Sequence, residues 1–344
     1  TEKDWGADQV AKMLSAKLGL IGFWRVRIAR CLMDFGRFPG ETTPGASHLN
    51  RFAINDPSVR FLAHDQKREL LSGFFDPISS QIEALLSDCR LKIAVHTYDR
   101  LNETGTERPL VSLIYRSQGY QTLNRMPYGV FDHIYPDHLG EFTVDRRLVA
   151  RISLELEKRG VTVAYNHPYA LPEGSVEVRS QVWFFFSFLR QRFHEVHPDC
   201  EGEPHFEAVW KMLMDTNLRD ARSGMLRDYL HLFRTVSAGQ EPFYRACRLA
   251  YERVARFIKE HRVADDYRRS PDRASSLAIE IRKDFVWQFR DAACRQPVSG
   301  PDGARLDNID RITTELARAI NIYFREDHAP DPGIIPEGRP PRAR

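Results

Sequence analysis

Apolar and polar positions alternate most clearly at two places in the chain. Leu91 to Asp99 (Leu-Lys-Ile-Ala-Val-His-Thr-Tyr-Asp) predicts a buried strand with His96 at its C-terminal tip. Ser276 to Arg282 predicts a second strand, with Leu277, Ile279 and Ile281 on one face and Glu280 and Arg282 on the other, so that a carboxylate and a guanidinium are aimed at one place. Shorter runs at 23–29, 110–115 and 161–165 predict further strands. Helical spacing lies between them: Val10, Met13, Leu14 and Leu18; a stretch over 65–87 broken near Pro77; and a helix capped by Thr143 that runs through Lys158. Strand and helix therefore alternate, which argues for α/β layers.

The alternation stops from about 181 to 261. Amphipathic stretches near 206–214, 225–233 and 243–258 predict an inserted all-helical subdomain. The α/β pattern then resumes with the Glu280 strand and a helix carrying Ile309, Ile312, Leu316, Ile320 and Tyr323. Beyond His328 the proline, glycine and arginine content predicts a disordered tail. The expected units are 1–180 with 265–328, the insertion 181–264, and the tail 329–344.

Composition adds bounds rather than chemistry. With 344 residues, 42% hydrophobic and 28% charged, the chain has the makeup of a globular protein with a sizeable core. A net charge of +3 gives no argument for nucleic acid or a membrane as partner, while a pI near 8.6 leaves room for an acidic small molecule. Cys31, Cys89, Cys200, Cys247 and Cys294 are scattered and odd in number, which fits free thiols in a cytoplasmic setting. The aromatic run Val182 to Leu189 is too short to span a bilayer, which needs about 20 apolar residues. No GxGxxG, P-loop or GxSxG pattern occurs, and His194 and His197 lack HExxH spacing. His133 and His138 sit in a predicted loop beside Pro136, where chance explains them.

Five blocks in order resemble the N-formylglutamate amidohydrolase family: Asp4-Trp5-Gly6-Ala7-Asp8; Arg30 followed by Asp34-Phe35-Gly36-Arg37; the strand ending in His96; Asn166-His167-Pro168-Tyr169; and Ile279-Glu280-Ile281-Arg282. The resemblance covers about 4–169 and 276–324. It implies a three-layer αβα hydrolase-like fold with a mixed central sheet, and one zinc ion as cofactor. The family's asparagine in D-x-N-R is Gly36 here, and its earlier P-H-x-G block has no counterpart after Thr1, so the resemblance implies a further metal-ligand histidine upstream of Thr1.

On that resemblance, His96 is a metal ligand, with Asp4 as the acidic ligand and Asp8 as its alternative. Glu280 is the general base and acid, taking a proton from metal-bound water and passing it to the leaving amine. Glu177, in Val176-Glu177-Val178-Arg179, repeats the apolar-Glu-apolar-Arg pattern and is the rival carboxylate. Arg30 and Arg37 clamp a substrate carboxylate, and Asn166, Tyr169 and Arg282 line the pocket. Each residue also has a plainer role: His96 bonding a loop carbonyl, Asp4 and Asp8 favouring a helix start, Glu280 pairing with Arg282, the arginines solvated, Asn166 to Tyr169 forming a turn. The expected activity is metal-dependent cleavage of a linear amide in a small, carboxylate-bearing N-acyl amino acid. The alternative is a catalytically degenerate hydrolase fold that binds a protein partner through the helical insertion.

Overall fold

The computed structural model describes residues 4–28, 32–39, 53–55, 58–87, 89–118, 131–172, 174–270, 273–291 and 293–326. Arg30 and the expected tail beyond 328 lie outside the described residues. The longer helices are α1 (Ala7–Lys17), α2 (Asp76–Leu86), α3 (Arg146–Glu157), α4 (Val176–Val196), α5 (Pro204–Met214), α6 (Ala221–His231), α7 (Glu241–Glu260) and α8 (Leu306–Glu326). The strands are β1 (Leu91–Tyr98), β2 (Val111–Ile114), β3 (Val163–Tyr165) and β4 (Ser275–Arg282).

These strands form one mixed sheet in the order β1-β4-β2-β3. β4 runs parallel to β1 and antiparallel to β2, and β2 runs parallel to β3. The pleat of β4 separates two cores. Leu277, Ile279 and Ile281 enter one with Val10 and Leu14 of α1, Leu148, Ile152 and Leu156 of α3, and the inner stripe of α8. Ala278 faces the other, where α4 brings Val178, Val182 and Phe185 and the remaining helices stack outward. The result is a mixed α/β arrangement with helices on both faces of the sheet.

The expected α8 stripe is all buried: Ile309, Ile312, Leu316, Ile320 and Tyr323 sit at i, i+3 and i+4 spacing against the sheet. Three boundaries differ from the sequence expectation. Residues 23–28, an expected strand, belong to no strand or helix. The break expected near Pro77 is a wide turn of π-helix at Leu71–Phe75, and Pro77 sits in the first turn of α2, where its missing N–H costs nothing. Thr143 is not the cap of α3; Asp145 is, accepting from Arg147 N at 2.8 Å. The Thr143 hydroxyl instead donates to the Ser276 carbonyl at 2.6 Å, tying the α3 entrance to β4.

The expected border at 181 falls inside α4. Glu177, near that helix's start, lies against the sheet, while Phe193, near its end, packs with Phe206, Trp210 and Phe257. The sheet face and the outer helices share one aromatic core through this helix. Phe185→Ala should therefore cost about 3–5 kcal/mol. Far-ultraviolet and aromatic signals should report one unfolding transition in denaturant, with no separate melting of the outer helices.

Candidate functional site

Register brings the central residues together. His96 is the parallel partner of Glu280, and Ser112 of β2 is the antiparallel partner of the same glutamate. Paired residues point to the same face of a sheet, and neighbouring strands lie about 4.8 Å apart. His96, Glu280 and Ser112 thus form a row across three strands. They share the face covered by α4, because Lys92, Ala94 and His96 alternate with Leu91, Ile93 and Val95, which pack into the opposite core. His96 is not at the tip of its strand, since β1 continues to Tyr98. The row lies on the sheet face rather than in a crevice beyond the strand ends.

Two short contacts define the chemistry. His96 Nδ1 lies 3.0 Å from Asp4 Oδ2, and the Tyr169 hydroxyl donates to Glu280 Oε1. The next two residues of the chain hold Asp4 in place. Trp5 packs on Trp287 with ring centroids 5.4 Å apart, and Gly6 takes a left-handed φ of 86° directly against Val286. A side chain at position 6 would strike Val286 Cγ2 at 2.8 Å, so glycine is required there. Asp8, the alternative to Asp4, pairs with Arg25 at 3.2 Å instead.

Glu177 also reaches this face. Its segment is not a strand but the first turn of α4, capped by Ser175, whose side chain accepts from Val178 N at 3.4 Å. Successive helical residues turn by about 100°, so Glu177 and Arg179 diverge. Glu177 accepts from Lys92 Nζ at 3.1 Å, and that ammonium also donates to Ser276 Oγ at 3.3 Å. Burial pushes the Glu177 carboxyl upward, but Lys92 and the nearby His96 outweigh it and hold the group below its ordinary value. Sequence reasoning misses Lys92. Its signal is a lysine at an alternate position in an apolar strand, four residues before a histidine on the same face.

Arg179 is buried and donates to the carbonyls of Gly174, Phe35 and Arg37 and to Asn217; burial lowers its pKa to about 10. These bonds, with Val176 N donating to Gly36 O at 3.1 Å, set the 34–37 loop against the start of α4. Arg37 is buried in that loop and pairs with Asp34 at 3.4 Å.

Two expected pocket residues have other partners. Asn166, at a left-handed φ of 51°, uses its side-chain oxygen to accept from the backbone N–H groups of Tyr115 and Arg116 at 2.9 and 2.8 Å. It closes the end of β2 in the manner of a turn residue. The Arg282 guanidinium is taken up by Asp284, Glu107 and the Arg108 carbonyl rather than directed with Glu280 at one point. His167, which the sequence marks only as part of its block, donates its backbone N–H to Ser112 Oγ at 3.2 Å, and its Nε2 is buried with no hydrogen-bond partner among the described residues.

An imidazole fixed at Nδ1 by a carboxylate presents Nε2, the arrangement that orients histidine ligands in metal sites. That geometry casts Asp4 as the group that orients His96. Among the described residues, however, no three His, Cys, Asp or Glu side chains gather into a set able to hold a metal. Surface clefts of about 470 and 410 Å³, lined respectively by Arg147, Arg151 and Tyr323 and by Glu241, Arg245 and Leu249, share no residue with the cluster.

No family model matches the chain, and no curated protein matches it. Among solved structures, it is similar to the crystal structure of gene product Atu2144 from Agrobacterium tumefaciens at 15% identity and a TM-score of 0.37, covering 94% of this chain and 78% of that one. A likeness at that level carries no argument about fold or function. No helix among the described residues is long and apolar enough to cross a membrane, and the four described cysteines are free thiols.

The Lys92–Glu177 pair yields a directional expectation. Lys92→Met leaves a buried carboxylate without its ammonium and should cost about 3–5 kcal/mol at neutral pH. Because the folded pKa of Glu177 is depressed, its contribution is complete above the ordinary value of 4.5 and is lost as pH falls through the folded value. Denaturant titrations should find Glu177→Gln less sensitive to acid than the parent over that window.

Proposed function

We propose that this chain is a hydrolase of linear amides, acting on a small, carboxylate-bearing N-acyl amino acid, on a three-layer αβα hydrolase-like fold. The observation that carries the reading is the His96–Glu280 register, with Asp4 on the imidazole and Tyr169 on the carboxylate. Two proton-handling pairs one strand spacing apart suit a reaction in which water is deprotonated and an amine is protonated.

Glu280 is the group we assign as general base and then general acid. It is buried in β4, and the Tyr169 hydroxyl fixes its carboxylate in one orientation, from which it would take the proton of a water and later deliver it to the departing nitrogen. The His96 imidazole, held at Nδ1 by Asp4, lies across the ladder from the Glu280 carboxylate. Glu177, paired with Lys92, is held as an anion, so it is less suited to a proton that must come and go. This supports Glu280 over Glu177 in the catalytic role. Arg37 is the described candidate for the substrate carboxylate; it would share its guanidinium between Asp34 and the substrate.

Zinc is the cofactor the family resemblance implies, with His96 Nε2 as a ligand. The described residues do not complete its ligand set, so no step above passes through a metal.

The competing reading, a degenerate scaffold docking through its helices, draws on apolar stripes at 206–214 and 243–258. Those stripes turn inward: Phe206, Val209, Trp210, Met212 and Leu213 are buried on α5, and Tyr244, Cys247, Val254 and Phe257 on α7. Phe243 and Leu249 of α7 stay exposed, but most of both stripes belongs to the core, which counts against docking through them.

The test is an assay of acid release from N-formyl and N-acetyl amino acids, including N-formylglutamate, with metal content measured on the same preparation. Glu280→Gln should lower kcat by about 10²–10⁴ with little change in KM. Tyr169→Phe should give a smaller loss and a shifted pH profile. No turnover by the parent protein on any of these amides, whether supplied with zinc or not, would overturn the proposal.

A further inference from the structure

The stretch from Leu20 to Arg27 is unusual in being largely apolar and fully on the surface. All eight residues are exposed, including Phe23 at 41%, Trp24 at 56% and Val26 at 40%. Single exposed apolar residues are ordinary, but a contiguous run of them marks an interaction surface. The backbone is also unpaired: the N–H groups of Phe23 to Ile28 make no hydrogen bond among the described residues. The composition, Phe-Trp-Arg-Val-Arg-Ile, is strongly strand-forming. Its base is pinned to α1, where Leu20 N donates to Ser15 O at 3.0 Å, Ser15 Oγ donates to Gly22 O at 2.9 Å, and Asp8 pairs with Arg25.

The same chain offers a surface that such a strand fits. β1 stands at the end of the sheet order, paired only with β4 among the described residues, so half of its backbone groups face away from the ladder. Its residues from Leu91 to His96 are partly exposed, whereas β4 is buried from Ser275 to Ile281. The edge has eight residues without proline or bulge, and its one lysine is turned inward to Glu177. Apart from that inward lysine, none of the usual devices that blunt an edge is present among the described residues.

We propose that Phe23 to Ile28 of one molecule adds as a strand to the β1 edge of a second copy of this chain, each copy reciprocating in a two-fold dimer. Side-chain alternation matches on both faces. Trp24 and Val26 would continue the apolar face of Leu91, Ile93 and Val95, while Ile28, packed against the small core of Met33, Ile54 and Phe75, anchors the end of the strip. Phe23, Arg25 and Arg27 would continue the face of Lys92, Ala94 and His96. Antiparallel pairing of the strip with its own copy would instead set arginine against arginine, which is repulsive. The addition satisfies open backbone groups and covers the apolar run together. It does not depend on the hydrolase reading.

The test is sedimentation of the full chain over a wide concentration range, with amide hydrogen exchange at low and high concentration. A dimer should form, and the amides of 23–28 and 91–95 should gain protection only as it does. Val26→Pro removes a ladder donor at a residue whose N–H bonds nothing among the described residues, so it should leave circular dichroism and thermal melting unchanged and abolish the dimer. A monomer at every concentration would overturn the inference, as would a dimer unaffected by Val26→Pro. Protection of 91–95 that is independent of concentration would overturn it as well.

Discussion

The fold and the candidate site both depend on the burial of β4. Its odd-numbered apolar residues, Leu277, Ile279 and Ile281, have no exposure, and a strand's period of two leaves its even-numbered residues no choice of face. Slipping the β1–β4 ladder by one residue would move Ile279 to the polar face and Glu280 into the apolar core. A buried carboxylate without partners there would cost several kcal/mol. The hydrophobic core thus fixes the height at which the glutamate meets the histidine. The geometry of the row is a by-product of the constraint that keeps the sheet in register.

The surroundings of the row are set by the layers above and below it. The α4 side supplies Glu177 from a capped helix start, and the opposite side supplies only packing. Lys92, far enough down β1 to meet both Glu177 and Ser276, offsets the cost of placing a carboxylate there. The tyrosine arrives by another route. A turn closed by Asn166 sends the chain from β3 back over the face, and the Tyr169 hydroxyl then reaches Glu280.

Much of this arrangement is legible in the chain because burial imposes a period. The alternation of Leu277, Ile279 and Ile281 announces β4, and the 3.6-residue spacing from Ile309 to Tyr323 announces α8; both signals come from strong one-sided burial. The residues of the row can be named for the same reason, since His96 and Glu280 are the polar interruptions of apolar strands. The partnerships cannot. Asp8 and Asp4 look alike in sequence, and only the aromatic pair of Trp5 and Trp287 with the left-handed turn at Gly6 decides between them. Glu177 and Arg179 read as strand neighbours because Val-Glu-Val-Arg alternates, yet the Ser175 cap starts a helix there and separates them. Arg282 shares a strand face with Glu280, but Glu107 and Asp284 are competitors that no periodicity reveals.

The long helix α4 has a wider consequence. Its first turn carries Glu177 to the sheet, and its later turns, about 24 Å away, carry Phe193 into the aromatic layer. A single element therefore spans the distance between the polar row on the sheet and the aromatic packing of the outer helices. Sequence drift at one end is not free of the other: exchanging a ring near Phe193 that tilts the rod also tilts the carboxylate on its tip. The outer helices thereby become part of what evolution must preserve if the row on the sheet is to keep its shape.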